Sequence, residues 1–106
     1  MRNDLAVEKM IQMIEKIQRY CADMDYKEFI INDMVVDACV FNLSQLGETV
    51  KKIDSNYQEQ HPEIPWRQIY GMRNRIVHDY EGINLKVIWE VIETDLPVLL
   101  MDLEKL

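Results

Sequence analysis

Apolar residues return at every third or fourth position through almost the whole chain, which is the period of an α-helix. Val7, Met10, Ile11, Ile14, Ile17 and Cys21 predict a first amphipathic helix of about five turns. The polar stretch Asp23 to Asp25 ends it. There Asp25 and Glu28 have the spacing of a capping box, with aspartate in place of the usual serine or threonine. The second helix carries two apolar stripes, Ile30, Met34, Ala38 and Phe41 on one side, and Val36, Val40, Leu43, Gly47 and Val50 on the other. A helix apolar on two sides is expected to pack on two sides, which puts it at the centre of a bundle. Gly47 costs about 1 kcal/mol inside a helix. The apolar spacing nevertheless continues through Val50 and Ile53, which favours close approach of a neighbour over a helix end.

Residues 55–65, SNYQEQHPEIP, read as the one clear loop. Pro65 suits the first turn of a third helix from Pro65 to His78, because proline there forfeits no helical hydrogen bond. A second break, Asp79 to Ile83, contains Gly82. Asn84 is placed to cap a fourth helix with Val87, Ile88, Val91 and Ile92 on its apolar side; Pro97 kinks or restarts it, and Val98, Leu99, Leu100 and Leu103 close the chain. No strand pattern competes. The expectation is an all-α, antiparallel bundle of four to five helices with short connections, forming a single domain over residues 1–106.

Composition narrows this picture. With 48% hydrophobic and 29% charged residues in a chain of 106, the protein is expected to be globular and not disordered. No apolar run reaches the ~18 residues of a membrane span, and the start, MRNDLAVEKM, does not read as a secretory signal. Cys21 and Cys39 form no CxxC or Cys/His cluster, so they read as reduced core thiols of a cytoplasmic protein, with no metal framework. The seven methionines read as core filling and His61 as solvated.

The net charge of −7 argues against a general nucleic-acid coat. Its distribution is uneven. Residues 51–80 hold five basic and four acidic groups and are the one positive segment, and no acid lies between Pro65 and His78, a stretch that contains Arg67, Arg73 and Arg75. An anion is expected to meet the protein there.

That stretch leads into the run Arg73-Asn-Arg-Ile-Val-His78-Asp-Tyr80, polar at six of eight positions. On a regular helix Trp66, Ile69, Met72 and Ile76 define a buried arc, and Arg73 falls inside it. A guanidinium cannot give up its proton, so in that arc it must be paired or face a cleft. His78 lies roughly 140° away, on the stripe of Arg67, Gly71 and Asn74. Either the helix ends near His78 and the side chains converge around its terminus, or they complete a site against a second subunit, to which Gly71 would allow close approach. Taken singly, each residue has a plainer reading: His78 as a helix C-terminal cap, Asp79 as an ion pair with Arg75, Tyr80 as one of five tyrosines.

Taken together, the Arg-x4-His-x-Tyr string resembles the signature of HEPN-domain ribonucleases. The wider chain is similar to the HepT-type toxins of toxin–antitoxin pairs, through Leu46-Gly47-Glu48, Pro62-x-x-Pro65-Trp66, Gly71-Met72-Arg73-Asn74, His78-x-Tyr80 and Ile88-Trp89 in order. The resemblance implies a HEPN-like helical domain acting as a homodimer, with the arginine and histidine facing a cleft between subunits. It implies a metal-independent endoribonuclease without a cofactor, in which Arg73 steadies phosphate charge and His78 performs acid/base work. Asn74 is then expected to orient the phosphate or His78. Arg75 and Arg67 are expected, from spacing, to hold flanking phosphates. Tyr80 matches the tyrosine to which an antitoxin, a minimal nucleotidyltransferase of the MntA type, transfers AMP. The alternative reading is a catalytically silent helical dimer that serves such a nucleotidyltransferase as a binding subunit.

Overall fold

Helix α1 runs from Asn3 to Tyr20 and buries Ala6, Val7, Met10, Ile14 and Ile17 on one face. The structure, a computed structural model, describes residues 2–79 and 84–106; the side chains of 73 and 75–79 lie outside that description. At the turn after α1, Asp23 takes a left-handed backbone with φ of 62°, a conformation aspartate adopts more readily than most residues.

Helix α2, Tyr26–Ile30, begins with the expected capping box. The Glu28 amide donates to Asp25 Oδ1 at 2.8 Å, and the Asp25 amide donates to Glu28 Oε1 at 3.0 Å. This box caps a helix of five residues, not the long second helix. Asn32 starts a separate cap, accepting from the Val35 amide at 3.1 Å, and α3 runs from Asp33 to Val50. The two caps compete for one stretch of chain, and each begins its own helix.

The α3 stripe of Val36, Val40, Leu43, Gly47 and Val50 is buried, together with Cys39 and Leu46. The other stripe is not: Met34 is 78% and Phe41 62% exposed. The helix still packs on two sides, against α1 and against the Trp66–Asp79 helix, as its central placement predicts, but the stripe of Met34 and Phe41 stays exposed. Two buried polar residues on α3 are satisfied by the turn below, since Asn42 Nδ2 donates to the Ala38 carbonyl at 2.9 Å and Thr49 Oγ1 to the Gln45 carbonyl at 2.8 Å. Such back-bonding leaves no buried donor unmet.

Helix α3 ends at Val50, short of the Ile53 that periodicity suggested. Ile53 still reaches the core from the turn. Residues 55–60, read as loop, form helix α4, Ser55–Gln60. It lacks an apolar face and is held by Gln58, whose Nε2 donates to the carbonyls of Val50 at 3.2 Å and Ile53 at 3.1 Å. The Val50 carbonyl also accepts from the Ile53 amide at 3.1 Å, so Gln58 ties α4 to the turn that closes α3. Helix α5 spans Trp66–Asp79, and α6 spans Leu85–Glu90. A π turn over Val91–Asp95 leads into α7, Leu96–Glu104. Pro97 has no N–H for the Glu93 carbonyl, and the wider turn absorbs that defect without breaking the helix.

The long helices run antiparallel. The Asp54 amide, just past α3, donates to Asn3 Oδ1 at the start of α1 at 3.1 Å, while Cys21 at the end of α1 meets Cys39 in α3. On the other side Lys51 Nζ sits 5.5 Å from the Tyr70 ring centre, so the start of α5 lies beside the end of α3. Phe29, Met10, Ile14, Ile17, Leu43, Leu46, Leu96 and Leu103 are the largest fully enclosed side chains. Each such burial stabilises the fold by about 1.5–3 kcal/mol. The fold class is all-α, as the periodicity predicts. Cys21 and Cys39 are free, buried thiols. Of the methionines expected as filling, Met10 is enclosed, whereas Met34 and Met101 are largely exposed. Among the described residues no helix is long and apolar enough to cross a membrane.

Candidate functional site

Helix α5 carries the polar run, and its start is fixed by a compact set of contacts. Trp66 is 7% and Ile64 2% exposed. The Trp66 indole Nε1 donates to the His61 carbonyl at 3.0 Å, and the Ile69 amide donates to the Pro65 carbonyl at 3.0 Å, so the helix begins one residue after the proline. Tyr57 stacks at 4.5 Å on the His61 ring and edges toward Trp66 at 6.4 Å. His61 is thus half-buried, with Nδ1 3.5 Å from Glu63 Oε1. It is not the solvated histidine that its polar neighbours suggested.

The segment after α5 is anchored in turn. Asn84 accepts from the Lys86 amide at 3.1 Å and caps α6, as its side chain predicts. One helix-turn on, Trp89 packs against Phe29 of α2 with ring centres 5.0 Å apart. Trp66 at the start of α5 and Trp89 in α6 are thus each fixed by a contact of their own. The expected buried arc is present where it is described: Trp66 and Ile69 are buried and Met72 is half-buried.

On this frame the predicted residues fall as follows. Arg67 is exposed, Asn74 is half-buried, and Gly71 between them is half-buried; their spacings of four and three set all three on one face of α5. A β-carbon added at Gly71 would meet nothing within 4 Å, so this face has room for something outside the protomer. Arg67 also lines a shallow groove of about 500 Å³ with Gln58, Glu59, Glu63 and Trp66, where two carboxylates share the wall with one guanidinium. Arg73, Arg75 and His78 belong to α5 by their backbone, but their side chains lie outside the described residues, and Tyr80 lies outside them altogether.

Two features were missed from the residues. Lys51 is one, its charge set over the Tyr70 ring; a lysine at a helix end carries no signal of that contact. The exposure of Ile31, Met34 and Phe41, at 80%, 78% and 62%, is the other. Met34 and Phe41 lie on α3 away from its buried arc. Among the described residues, no group of three or more histidine, cysteine or acidic side chains is arranged to hold a metal ion.

Residues 10–106 match the family model described as ribonuclease HepT-like. A candidate RNase of Methanocaldococcus jannaschii is 33% identical over 97 residues, covering 92% of this chain and 84% of that protein. A candidate ribonuclease HepT of Thermococcus cleftensis is 31% identical over 100 residues, covering 94% and 91% respectively. A candidate RNase of Caldanaerobacter subterraneus is 31% identical over 93 residues, covering 88% of this chain and 83% of its own. No solved structure matches the chain.

Proposed function

Since the chain belongs to the HepT-like ribonuclease family, we propose that it is an endoribonuclease that cleaves RNA without a metal ion and acts as a homodimer. It serves as the toxin of a type VII-like toxin–antitoxin pair, silenced by AMP transfer to Tyr80 from a nucleotidyltransferase antitoxin. The observation that carries the reading is the family match over residues 10–106, which takes in the whole Arg73-x4-His78-x-Tyr80 string.

The chemistry suits these side chains. The ribose 2′-hydroxyl attacks the adjacent phosphorus; the O2′–P bond forms, the P–O5′ bond breaks, and the products are a 2′,3′-cyclic phosphate and a 5′-hydroxyl. A histidine with an ordinary pKa near 6.5 takes the hydroxyl proton at neutral pH and returns one to the leaving oxygen. This is the role given to His78. Arg73 offers a fixed fork of donors to the phosphorane oxygens, where negative charge develops. Asn74 orients the phosphate or His78, and Arg75 and Arg67 hold flanking phosphates. AMP on Tyr80 adds bulk and phosphate charge beside the string, and it blocks RNA by occlusion and like-charge repulsion.

The dimer draws support from α3. Ile31, Met34 and Phe41 form an apolar strip on the side away from the core. A two-fold axis across α3 pairs this patch with itself. A chain of this size gains a larger share of buried surface by such pairing. The acidic remainder of the chain, at net −7, suits a protein partner over most of the surface and a restricted, structured RNA as substrate.

The test is RNA cleavage by the purified chain in EDTA, with His78→Ala alongside and intact masses checked for attached AMP. Cleavage by the unmodified wild type alone, leaving 2′,3′-cyclic phosphate ends, is the expected result. No cleavage of total cellular RNA by unmodified protein would point instead to a non-catalytic binding subunit for the nucleotidyltransferase.

A further inference from the structure

Cys21 closes α1 and Cys39 lies in the middle of α3, 18 positions apart in sequence, yet their sulfurs are 3.5 Å apart. Cys39 is fully enclosed, and Cys21 is 6% exposed at the edge of the core. A pair of thiols in contact differs from two thiols that happen to be buried. Disulfide formation requires the sulfurs to close to about 2.05 Å, a movement small enough for side-chain rotation between two antiparallel helices. We infer that Cys21 and Cys39 form an oxidisable dithiol, which a peroxide converts into a disulfide within one chain.

The two sulfurs are not equivalent. The contact between the two sulfurs favours one thiolate in the pair, and burial, greater at Cys39, pushes that thiol up. Cys21, at the edge of the core where Cys39 is fully enclosed, is the sulfur a peroxide reaches and so the attacking one, as its thiolate. It takes one oxygen from hydrogen peroxide, breaking the O–O bond and releasing water, to give a sulfenic acid. Cys39 then displaces the sulfenic oxygen as a second water while the S–S bond forms. Two thiols and one peroxide give one disulfide and two waters. The two electrons leave the sulfurs for the peroxide oxygens.

The cross-link would close the loop of residues 22–38, which holds the α1–α2 turn, all of α2 and the first turn of α3. Helix α2 carries Phe29, which packs on Trp89, so the staple fixes the end of the bundle on which α6 docks. A cross-link of this span constrains the unfolded chain enough to raise Tm by roughly 10 °C.

The experiment reduces the wild-type chain fully with a phosphine, removes it without air, and adds equimolar hydrogen peroxide. Expected are an intact mass lower by two hydrogens and a tryptic species joining Tyr20–Lys27 to Glu28–Lys51. A higher Tm that fresh phosphine reverses is expected with them. Cys39→Ala should show neither the joined species nor the gain in Tm. Sulfinic acid on either cysteine, a disulfide between chains, an unchanged protein, or a cross-linked protein with a lower Tm would each overturn the inference. These readouts are independent of RNA cleavage.

Discussion

The indole N–H of Trp66 donates to the carbonyl of His61 at 3.0 Å, closing the turn of Pro62 to Pro65 onto the first residue of α5. Trp66→Phe keeps most of the apolar body but leaves that carbonyl with the Ile64 amide alone, at 3.2 Å. The expected loss is about 1–2 kcal/mol of unfolding free energy, read as a lower midpoint in urea with the same slope. A midpoint unchanged from wild type would show that the bond does not hold the helix in place.

Asp25 and Glu28 bind each other's backbone amides. Asp25→Ala should cost about 1 kcal/mol, and since α2 has five residues the loss should be local. Amide hydrogen exchange should speed up across residues 26–30 well before it does in α1. Uniform acceleration throughout the chain would mean that α2 unfolds only with the whole molecule.

Arg73→Ala and His78→Ala should each remove RNA cleavage by at least about 100-fold while far-UV circular dichroism keeps the wild-type helical signal. Helicity falling along with activity would give these residues a structural part instead. Tyr80→Phe should retain cleavage and refuse AMP; modification persisting at full level in that variant would move the acceptor elsewhere.

Phe41→Glu puts a charge at one end of the exposed strip of Ile31, Met34 and Phe41. Because Phe41 is 62% exposed in the protomer, the helical signal should be unaffected, whereas sedimentation should shift from dimer to monomer. If the variant sediments as wild type does, the two copies meet through another face.

The helices that announce themselves in the sequence are those whose burial follows a period. Val7 to Ile17 and Val36 to Val50 mark α1 and α3 because each apolar side chain faces the same core, and Asn84 marks α6 because a cap depends on its own side chain. Helix α4 shows no such mark: Ser-Asn-Tyr-Gln-Glu-Gln has no apolar stripe, and Gln58 holds it through carbonyls that composition does not reveal. Met34 and Phe41 mislead for a different reason, since an apolar stripe looks alike whether it meets its own core or another surface. The candidate site is legible as chemistry, through the order of Arg73, His78 and Tyr80, but its setting is not. The contacts of Trp66 with the His61 carbonyl and of Trp89 with Phe29 are products of the fold that no motif announces. The meeting of Cys21 and Cys39 is a product of antiparallel packing, and a spacing of 18 residues carries no distance.

The π turn at Val91–Asp95 has a mechanical consequence. Because it carries the helix past Pro97, residues 85–104 form one continuous rod of about 30 Å, set against a longest molecular dimension of 41 Å. Its near end is tied to α2 through Trp89, and its far end is sunk in the core at Leu103. A broken helix would dissipate a displacement at Asn84 within its first turns. A strut transmits it, so a load applied at Asn84 is felt at the opposite end of the bundle.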